Sequence, residues 1–342
     1  MNKVVKKLKQ ELSYKNGRYY FPPDFLSLLV TLKCNFRCQS CSIWENDFGQ
    51  ELDDEAWIGI IEQAKKVLNP NTYIEINGGE PLLKKDLVYK IIKELKSYFK
   101  AVVLNSNGSL VTEEVVKKLE ESGLSKMKVS LYSLNPTTHN SLRGTEVAYD
   151  GAMKTIELVK NSKIRLEIGV LLTAKNIKEI PDLVEYFKDY KNTTLILQVL
   201  DEKVESKEAK VDIDNKMPEG LWPEKEDILN FFDWLENNVS AKKLFHERTN
   251  FRLIRDYYLD PTMALNYRCF AGQHNCVIYP NGDITLCFKG QIVGNLLQNS
   301  LEDILKKGAV AERKKIKNCK KYCRLVGCNF SRGFKEIVKD LF

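Results

Sequence analysis

Nine cysteines are set unevenly in 342 residues. Cys34, Cys38 and Cys41 fall within eight residues, and the other six all lie beyond residue 268. The first group reads Cys34-Asn-Phe-Arg-Cys38-Gln-Ser-Cys41, with three and then two intervening residues. A loop of this spacing can wrap three thiolates around one face of a cubane iron–sulfur cluster. Ferredoxin clusters use four cysteines, so three leave one iron open to a substrate or cofactor. The next cysteine is 228 residues away. A zinc site would want a fourth Cys or His, and three unconnected core thiols is the remaining reading. Neither accounts for a loop that starts where a strand ends.

An odd total means that disulfides cannot account for all nine cysteines. Residues 1–22 are lysine-rich and lack the apolar core of a signal peptide. No run approaches the roughly 18 apolar residues of a membrane helix. The chain is therefore expected to be cytoplasmic, with reduced thiols, where clustered cysteines point to metal first. Hydrophobic residues make up 43% and charged residues 29%, which suits a sizeable core and excludes a disordered segment. The net charge of +7 is concentrated: residues 1–18 carry +5 and residues 306–324 carry +8, leaving the remainder near −6. Basic segments could meet nucleic acid, an acidic peptide or a membrane surface. They show little aromatic interleaving for base stacking, and they read as solvated lysine-rich surface.

The elements that must position the cysteines alternate regularly. Strands are expected at 24–31, 72–77, 101–105, 127–132, 164–172 and 194–200. Helices are expected between them at 53–67, 84–99, 112–122, 149–161 and 178–190. Alternation of this kind implies a parallel sheet with right-handed crossovers. A full eight-unit barrel needs about 250 residues, so six units imply an α/β fold built as a partial (β/α)6 TIM-like barrel. Chemistry in such folds gathers at the C-terminal ends of strands. The cysteine loop, Gly78-Gly79-Glu80-Pro81, Asn105-Ser106-Asn107-Gly108 and Ser130 all fall at such ends. Residues 201–220 read as a linker, and 224–239 and 241–258 as two helices. From Cys269 the chain reads as a small cysteine-rich α+β domain, with a hairpin of Val277-Ile278-Tyr279 and Ile284-Thr285-Leu286.

On these motifs the sequence resembles the radical S-adenosylmethionine enzymes. The likeness rests on the C-x3-C-x2-C loop after the first strand, joined by Gly78-Gly79-Glu80-Pro81 after the second. Ser40 departs from the pattern, since family members often carry an aromatic residue there, near the adenine; Phe36 or Trp44 is the candidate substitute. The resemblance implies a [4Fe-4S] cluster on Cys34, Cys38 and Cys41, with S-adenosylmethionine chelating the open iron through its amino and carboxylate groups. Reduction of the sulfonium breaks its S–C5′ bond, and the 5′-deoxyadenosyl radical abstracts a substrate hydrogen. A barrel interior excludes water from such chemistry.

The resemblance also implies residue roles. Gly78, Gly79 and Glu80 take the methionyl ammonium. Asn107 matches the family's polar position after a strand, and Ser130 and Tyr132 lie toward the ribose. Arg143, in His139-Asn-Ser-Leu-Arg143-Gly144, pairs with the cofactor carboxylate. The backbone from Val170 to Leu172, centred on Leu171, serves the adenine, with Asn176 just beyond. Gln198 faces the substrate. An electron donor such as flavodoxin or ferredoxin is implied as partner.

Cys269-Phe-Ala-Gly272, Cys287 and Cys319-x3-Cys323-x4-Cys328 resemble the C-terminal extensions called SPASM or twitch domains. Gly294-Asn295-Leu296 and the run from Ser300 to Leu305 add to the match. Six cysteines stand where a two-cluster extension usually has seven or more, so one auxiliary [4Fe-4S] cluster is expected. Its expected ligands are Cys269, Cys287, Cys319 and Cys323, with Cys328 as a substitute; four thiolates also suit zinc. Cys276 reads as a packed thiol, and His246 and His274 as structural. The domains implied are a basic N-terminal extension (1–23), the radical S-adenosylmethionine partial barrel (24–205), a helical linker (206–262) and the auxiliary-cluster domain (263–342).

The activity implied is that of an oxidoreductase, or a modifying enzyme, acting on a small molecule or a peptide. The peptide-binding winged-helix segment of family maturases is not seen ahead of the first strand, which shifts weight toward small molecules. The chain ends Asp340-Leu341-Phe342 and lacks the terminal Gly-Gly of the molybdopterin-precursor enzyme, so that activity is not expected. The alternative is a non-enzymatic iron–sulfur or zinc module binding nucleic acid through its basic ends. The intact cofactor motif argues against it.

Overall fold

The computed structural model describes residues 3–46, 49–200, 220–246, 249–321 and 323. Cys328 and most of the expected 201–220 linker lie outside the described residues. The chain opens with helix α1 (Lys3–Asn16). Six parallel strands follow: β1 (Phe25–Leu29), β2 (Tyr73–Asn77), β3 (Val102–Ser106), β4 (Lys126–Ser130), β5 (Arg165–Leu171) and β6 (Thr193–Gln198). Between them run α2 (Asp54–Val67), α3 (Lys85–Lys96), α4 (Glu113–Glu121), α5 (Pro136–Arg143), α6 (Ala148–Lys160) and α7 (Ile180–Phe187). This is the partial (β/α)6 barrel that the alternation implied.

Strand side chains alternate between faces. Leu26, Leu28, Ile74, Ile76, Leu104, Met127, Val129 and Ile168 point outward into one apolar core with the helices. Helix starts follow their capping residues. Asp53 accepts from the Ala56 N–H and Thr112 from the Val115 N–H. Helix α5 was not among the expected elements, although Asn135 caps its start, Pro136 opens it and Gly144 ends it.

The sheet does not stop at the barrel. Strand β7 (Asn275–Ile278) lies parallel against β1, and β8 (Asp283–Thr285) and β9 (Ile292–Asn295) continue antiparallel from it. The strand order is therefore β6-β5-β4-β3-β2-β1-β7-β8-β9, with the smaller α+β region built on the barrel's β1 edge. The expected hairpin is β7–β8, turning at Gly282.

One expected feature differs. The helix expected over 241–258 is broken into α9 (Val239–Leu244) and α10 (Phe251–Leu259), following α8 (Lys225–Asn237). Phe245 bridges to Leu195 of β6, and Asn250 caps a fresh start by accepting from Leu253 N. These helices bury Ile228, Phe231, Phe232, Leu235 and Tyr257. The Tyr258 hydroxyl donates to the Leu172 carbonyl at 2.6 Å and accepts from Leu200 N at 2.9 Å. The described part of the expected linker is thus packed on the barrel.

The basic N-terminal segment is likewise fastened down. Glu11 pairs with Arg268 at 2.8 Å, Tyr14 stacks on Phe270 with ring centroids 4.6 Å apart, and Gln10 bonds His274. After α11 (Ala271–His274) and α12 (Leu301–Asp303), the chain reaches α13 (Val310–Lys317), where Arg313 is 3% exposed. Its guanidinium donates to the Gly272 and Leu305 carbonyls at 2.9 and 2.8 Å. Among the described residues, no helix is long and apolar enough to cross a membrane.

Candidate cofactor and cluster sites

The first cysteine loop leaves the end of β1. Its three thiols are half-buried. Arg37 folds back to donate to the Cys34 and Phe36 carbonyls at 2.7 and 2.8 Å, and lies over the Trp44 ring at 4.3 Å. The Trp44 indole N–H donates to the Cys41 carbonyl at 3.1 Å. Glu51 ties down the loop's start by accepting from the Thr31 hydroxyl at 2.6 Å and from Leu32 N at 3.3 Å. Burial works to raise Glu51, but its bonds to Lys84 and Thr31 hold the carboxyl below its usual range.

Two glycine-bearing turns grip this loop from opposite sides. Gly78 has φ +146°, and a Cβ there would stand 2.2 Å from the Thr31 carbonyl oxygen. At Gly79 the same clash is with the Lys33 carbonyl, also at 2.2 Å. On the other side Gly144, the left-handed C-cap of α5, would place a Cβ 2.1 Å from the Arg37 carbonyl. No L-residue with a Cβ fits at these approaches. Gly79 N donates to Thr31 O and Glu80 N to Lys33 O, each at 2.9 Å, so the β2 turn and the loop are laced together.

The Glu80 carboxylate is 0% exposed and faces its own chain. Oε1 accepts from Leu82 N at 3.1 Å and the Ser106 hydroxyl at 2.9 Å, and Oε2 accepts from Asn107 N at 2.7 Å. Burial pushes its pKa up while these donors pull it down. The side chain thereby locks the ends of β2 and β3 together. Asn107 donates to Asn35 Oδ1 at 2.8 Å, and Asn35 donates to the Ser109 hydroxyl at 2.8 Å. Asn35 was missed in the sequence; its place between two cysteines was the available signal.

Arg143 lies under the loop, 8% exposed. It donates to the Tyr132 hydroxyl at 2.9 Å and stands 5.6 Å from the Phe36 ring centroid. Its Nε has no partner. Burial opposes its charge, while Cys38, Tyr132 and Cys41 favour it and raise the pKa. His139 Nδ1 accepts from Tyr132 N at 3.1 Å. Asn176, fully buried, donates to the Tyr132 and Leu171 carbonyls at 2.7 and 2.8 Å, joining the ends of β4 and β5. Ser130 is half-buried at the end of β4, and Gln198 is exposed at the end of β6.

The second group forms around β7 and β8. Burial pushes Cys269 up to about 12, with Cys323 and Cys319 acting in the same direction. Burial also brings Cys287 to about 12, and there Cys269 and Cys319 add to it. Cys269 is thus within electrostatic reach of Cys287, Cys319 and Cys323, and Cys287 of Cys319 as well. Cys276 stands apart, buried in β7 with Arg313 as its charged neighbour.

Among the described residues, no three Cys, His, Asp or Glu side chains converge tightly enough to hold a single metal ion. A cubane cluster is a larger object, held by more widely spaced thiolates. The residues fit the implied cofactor in two respects. The thiols sit on a loop held rigidly from both sides, and a buried guanidinium with an unpartnered N–H waits beside them.

Residues 28–187 match the Radical SAM superfamily, and residues 269–329 match SPASM, an iron–sulfur cluster-binding domain. The matched segment, residues 28–187, belongs to the radical SAM superfamily. The chain is 32% identical over 188 residues to a probable GTP 3′,8-cyclase of Methanocaldococcus jannaschii, covering 53% of this chain and 61% of that protein. It spans 48% and 40% of the length of two further curated relatives.

Solved structures share the fold. Streptococcus suis SuiB bound to precursor peptide SuiA superposes with a TM-score of 0.66 at 17% identity, covering 92% of this chain and 72% of that one. AdoMet-bound anSMEcpe gives a TM-score of 0.64 at 18% identity, covering 90% and 89%. Sequence reasoning missed Asn35, Glu51 and the carbonyl-bridging role of Asn176, all of which position loops.

Proposed function

We propose that the chain is a radical SAM oxidoreductase acting on a small molecule or a peptide, with one auxiliary [4Fe-4S] cluster. Cys34, Cys38 and Cys41 hold the cofactor-binding cluster. The backbone of Gly78 and Gly79 meets the methionyl ammonium, and Arg143 meets the carboxylate through its Nε edge. Asn107, Ser130, Tyr132 and the backbone at Leu171 border the nucleoside. Cys269, Cys287, Cys319 and Cys323 hold the auxiliary cluster, with Cys328 as the substitute ligand. When bound, the cluster and S-adenosylmethionine supply a 5′-deoxyadenosyl radical that takes a hydrogen atom from the substrate.

The protein's own part is positional. Glu80 and Asn176 fix the strand ends, so the cysteine loop and Arg143 are preorganised rather than recruited. The half-buried loop limits water around reactive species. The reading places the barrel at 24–205 and the auxiliary domain at 263–342, in a reducing cytoplasm with flavodoxin or ferredoxin as electron donor. The names of similar proteins span both substrate classes: SuiB is described with a precursor peptide, and the M. jannaschii protein is named for GTP.

The observation that carries this reading is the grip of Gly78-Gly79 and Gly144 on one three-cysteine loop, with Arg143 buried and under-bonded beneath it. Anaerobic reconstitution with iron and sulfide, then dithionite and S-adenosylmethionine, tests it. The expected product is 5′-deoxyadenosine, lost in Cys38→Ala. Retained cleavage in that variant removes the cluster assignment, and no product from fully loaded protein removes the enzyme reading.

A further inference from the structure

Helix α13 carries its charge differently from the helices of the barrel. On α2, α4, α6 and α7 a lysine finds a carboxylate one turn away: Lys65 with Glu62, Lys118 with Glu114, Lys160 with Glu157 and Lys188 with Glu185. Lys306 and Lys307, just before α13, pair in the same way with Glu302 and Asp303. On α13 itself Lys314, Lys315 and Lys317 are exposed, and among the described residues none of them pairs with a carboxylate. The acidic residue of this helix turns inward. Glu312 is 7% exposed and accepts from Gln291 N at 3.0 Å. Like charges one turn apart repel, so stability alone does not account for these lysines.

Helix α1 extends the basic face. Lys317 donates to the Lys15 carbonyl at 3.4 Å, and the Lys314 stem covers Gly17, where a Cβ would stand 3.0 Å from its Cγ. Lys15 is exposed. Leu12 and Leu8, three and seven residues before it on the same side of α1, are 48% and 60% exposed. At its other end the face reaches the second cysteine group. The Cys319 thiol is exposed, as is Lys320 beside it. Lys321 N donates to the Cys319 sulfur at 3.5 Å and Lys289 N to the Cys287 sulfur at 3.4 Å, and the Lys321 ammonium donates to the Lys289 carbonyl at 3.3 Å. Residues 324–342 hold four basic and two acidic residues, so they bring no net negative charge to this face.

We propose that the face formed by Lys15, Lys314, Lys315, Lys317 and Lys320, bordered by Leu8 and Leu12, docks an acidic one-electron carrier protein with its redox centre turned to Cys319. Clustered ammonium groups speed the encounter with an acidic partner and fix its orientation. The two leucines supply the small apolar part of a transient interface. Nucleic acid is disfavoured, because Tyr14, the ring nearest these lysines, is 9% exposed and offers no face for a base. A membrane surface would use the leucines and lysines but gains nothing from an exposed cysteine. A carrier does gain, since an electron crosses only between centres that approach closely. This rests on the reading that Cys319 holds the auxiliary cluster.

Calorimetric titration of cluster-loaded protein with a flavodoxin of strongly negative net charge tests the proposal. Binding is expected to weaken steeply as salt is raised. Lys314→Glu combined with Lys317→Glu should weaken it about tenfold, and Lys188→Glu, on α7, should leave it unchanged. Should the reversed pair not fold, Lys314→Gln with Lys317→Gln should give a smaller loss of the same sign. Carbodiimide cross-linking should join flavodoxin carboxylates to Lys314, Lys317 or Lys320. Three results overturn the proposal: binding indifferent to both lysine pairs, cross-links confined to other faces, or lysine-dependent binding of phosphatidylserine vesicles or polyuridylate without binding of flavodoxin. Iron and sulfide analysis of the same preparation separates the two ideas. Iron for two clusters with indifferent binding defeats the docking face alone. Iron for one cluster defeats the auxiliary-cluster reading, and the choice of an electron carrier with it.

Discussion

Arg143 donates to the Tyr132 hydroxyl at 2.9 Å and, among the described residues, to no carboxylate, although it is only 8% exposed. Tyr132 thus orients the guanidinium, whose Nε has no partner among the described residues; the proposed carboxylate role turns on that edge. A guanidinium holds a carboxylate in a planar fork that an ammonium cannot copy. Arg143→Lys should therefore weaken S-adenosylmethionine binding by about tenfold to a hundredfold, the range of a charge-assisted hydrogen bond. Calorimetric titration of cluster-loaded protein measures it. Unchanged affinity would remove Arg143 from the carboxylate role.

Glu80 bonds two backbone N–H groups and one hydroxyl within a fully buried site. Glu80→Ala leaves those donors unpaired, at about 1–3 kcal/mol each. A drop of several kcal/mol in urea-unfolding free energy is expected, with a smaller one for Glu80→Gln, which keeps an acceptor. If both variants unfold like the parent, the strand-locking role is wrong.

The second cysteine group divides by environment. Cys323 acts on Cys269, whereas Cys276 is packed inside β7 near Arg313. Cys323→Ala should lower iron content by one cluster and leave the first cluster loaded. Cys276→Ala should leave iron unchanged and cost about 1 kcal/mol of stability through lost packing. Iron and sulfide analysis with electron paramagnetic resonance distinguishes the two. Iron loss in Cys276→Ala would redraw the ligand set.

His139 gives a pH signature of the fold. Burial, reinforced by Arg143, depresses its pKa from 6.5 to about 3. The unfolded chain binds this proton first as pH falls. The neutral ring's contribution is therefore fully present above about pH 6.5 and is lost progressively down to about pH 3. The slope reaches about 1.4 kcal/mol per pH unit inside that window. Comparing urea unfolding at several pH values should show a shallower slope for His139→Asn. Parallel slopes would show that the ring titrates normally.

Much of the barrel was legible because its signals are local. Alternating strand and helix patterns and glycines at strand ends each depend on a few neighbouring residues. Helix α5 follows the same local logic, with Asn135-Pro136 at its start and Gly144 at its end. The break between α9 and α10 was less legible, because Phe245 leaves the helix to pair with Leu195, 50 residues earlier.

By itself, the sequence determined which side chains could do chemistry: a three-thiolate loop, a glycine pair after the second strand, an arginine and a later cysteine group. Their identities and spacing are properties of the chain alone. Only the tertiary structure decided what each one faces. It turned Glu80 inward, left the Arg143 Nε without a partner, set α1 against Arg268 and Phe270, and made β7 extend the barrel through β1. It also paired Lys128 with Glu75 and Lys126 with Glu167 across the strands. The reason is physical: burial and pairing depend on residues distant in the chain, and a carboxylate's role follows from the donors that surround it after folding.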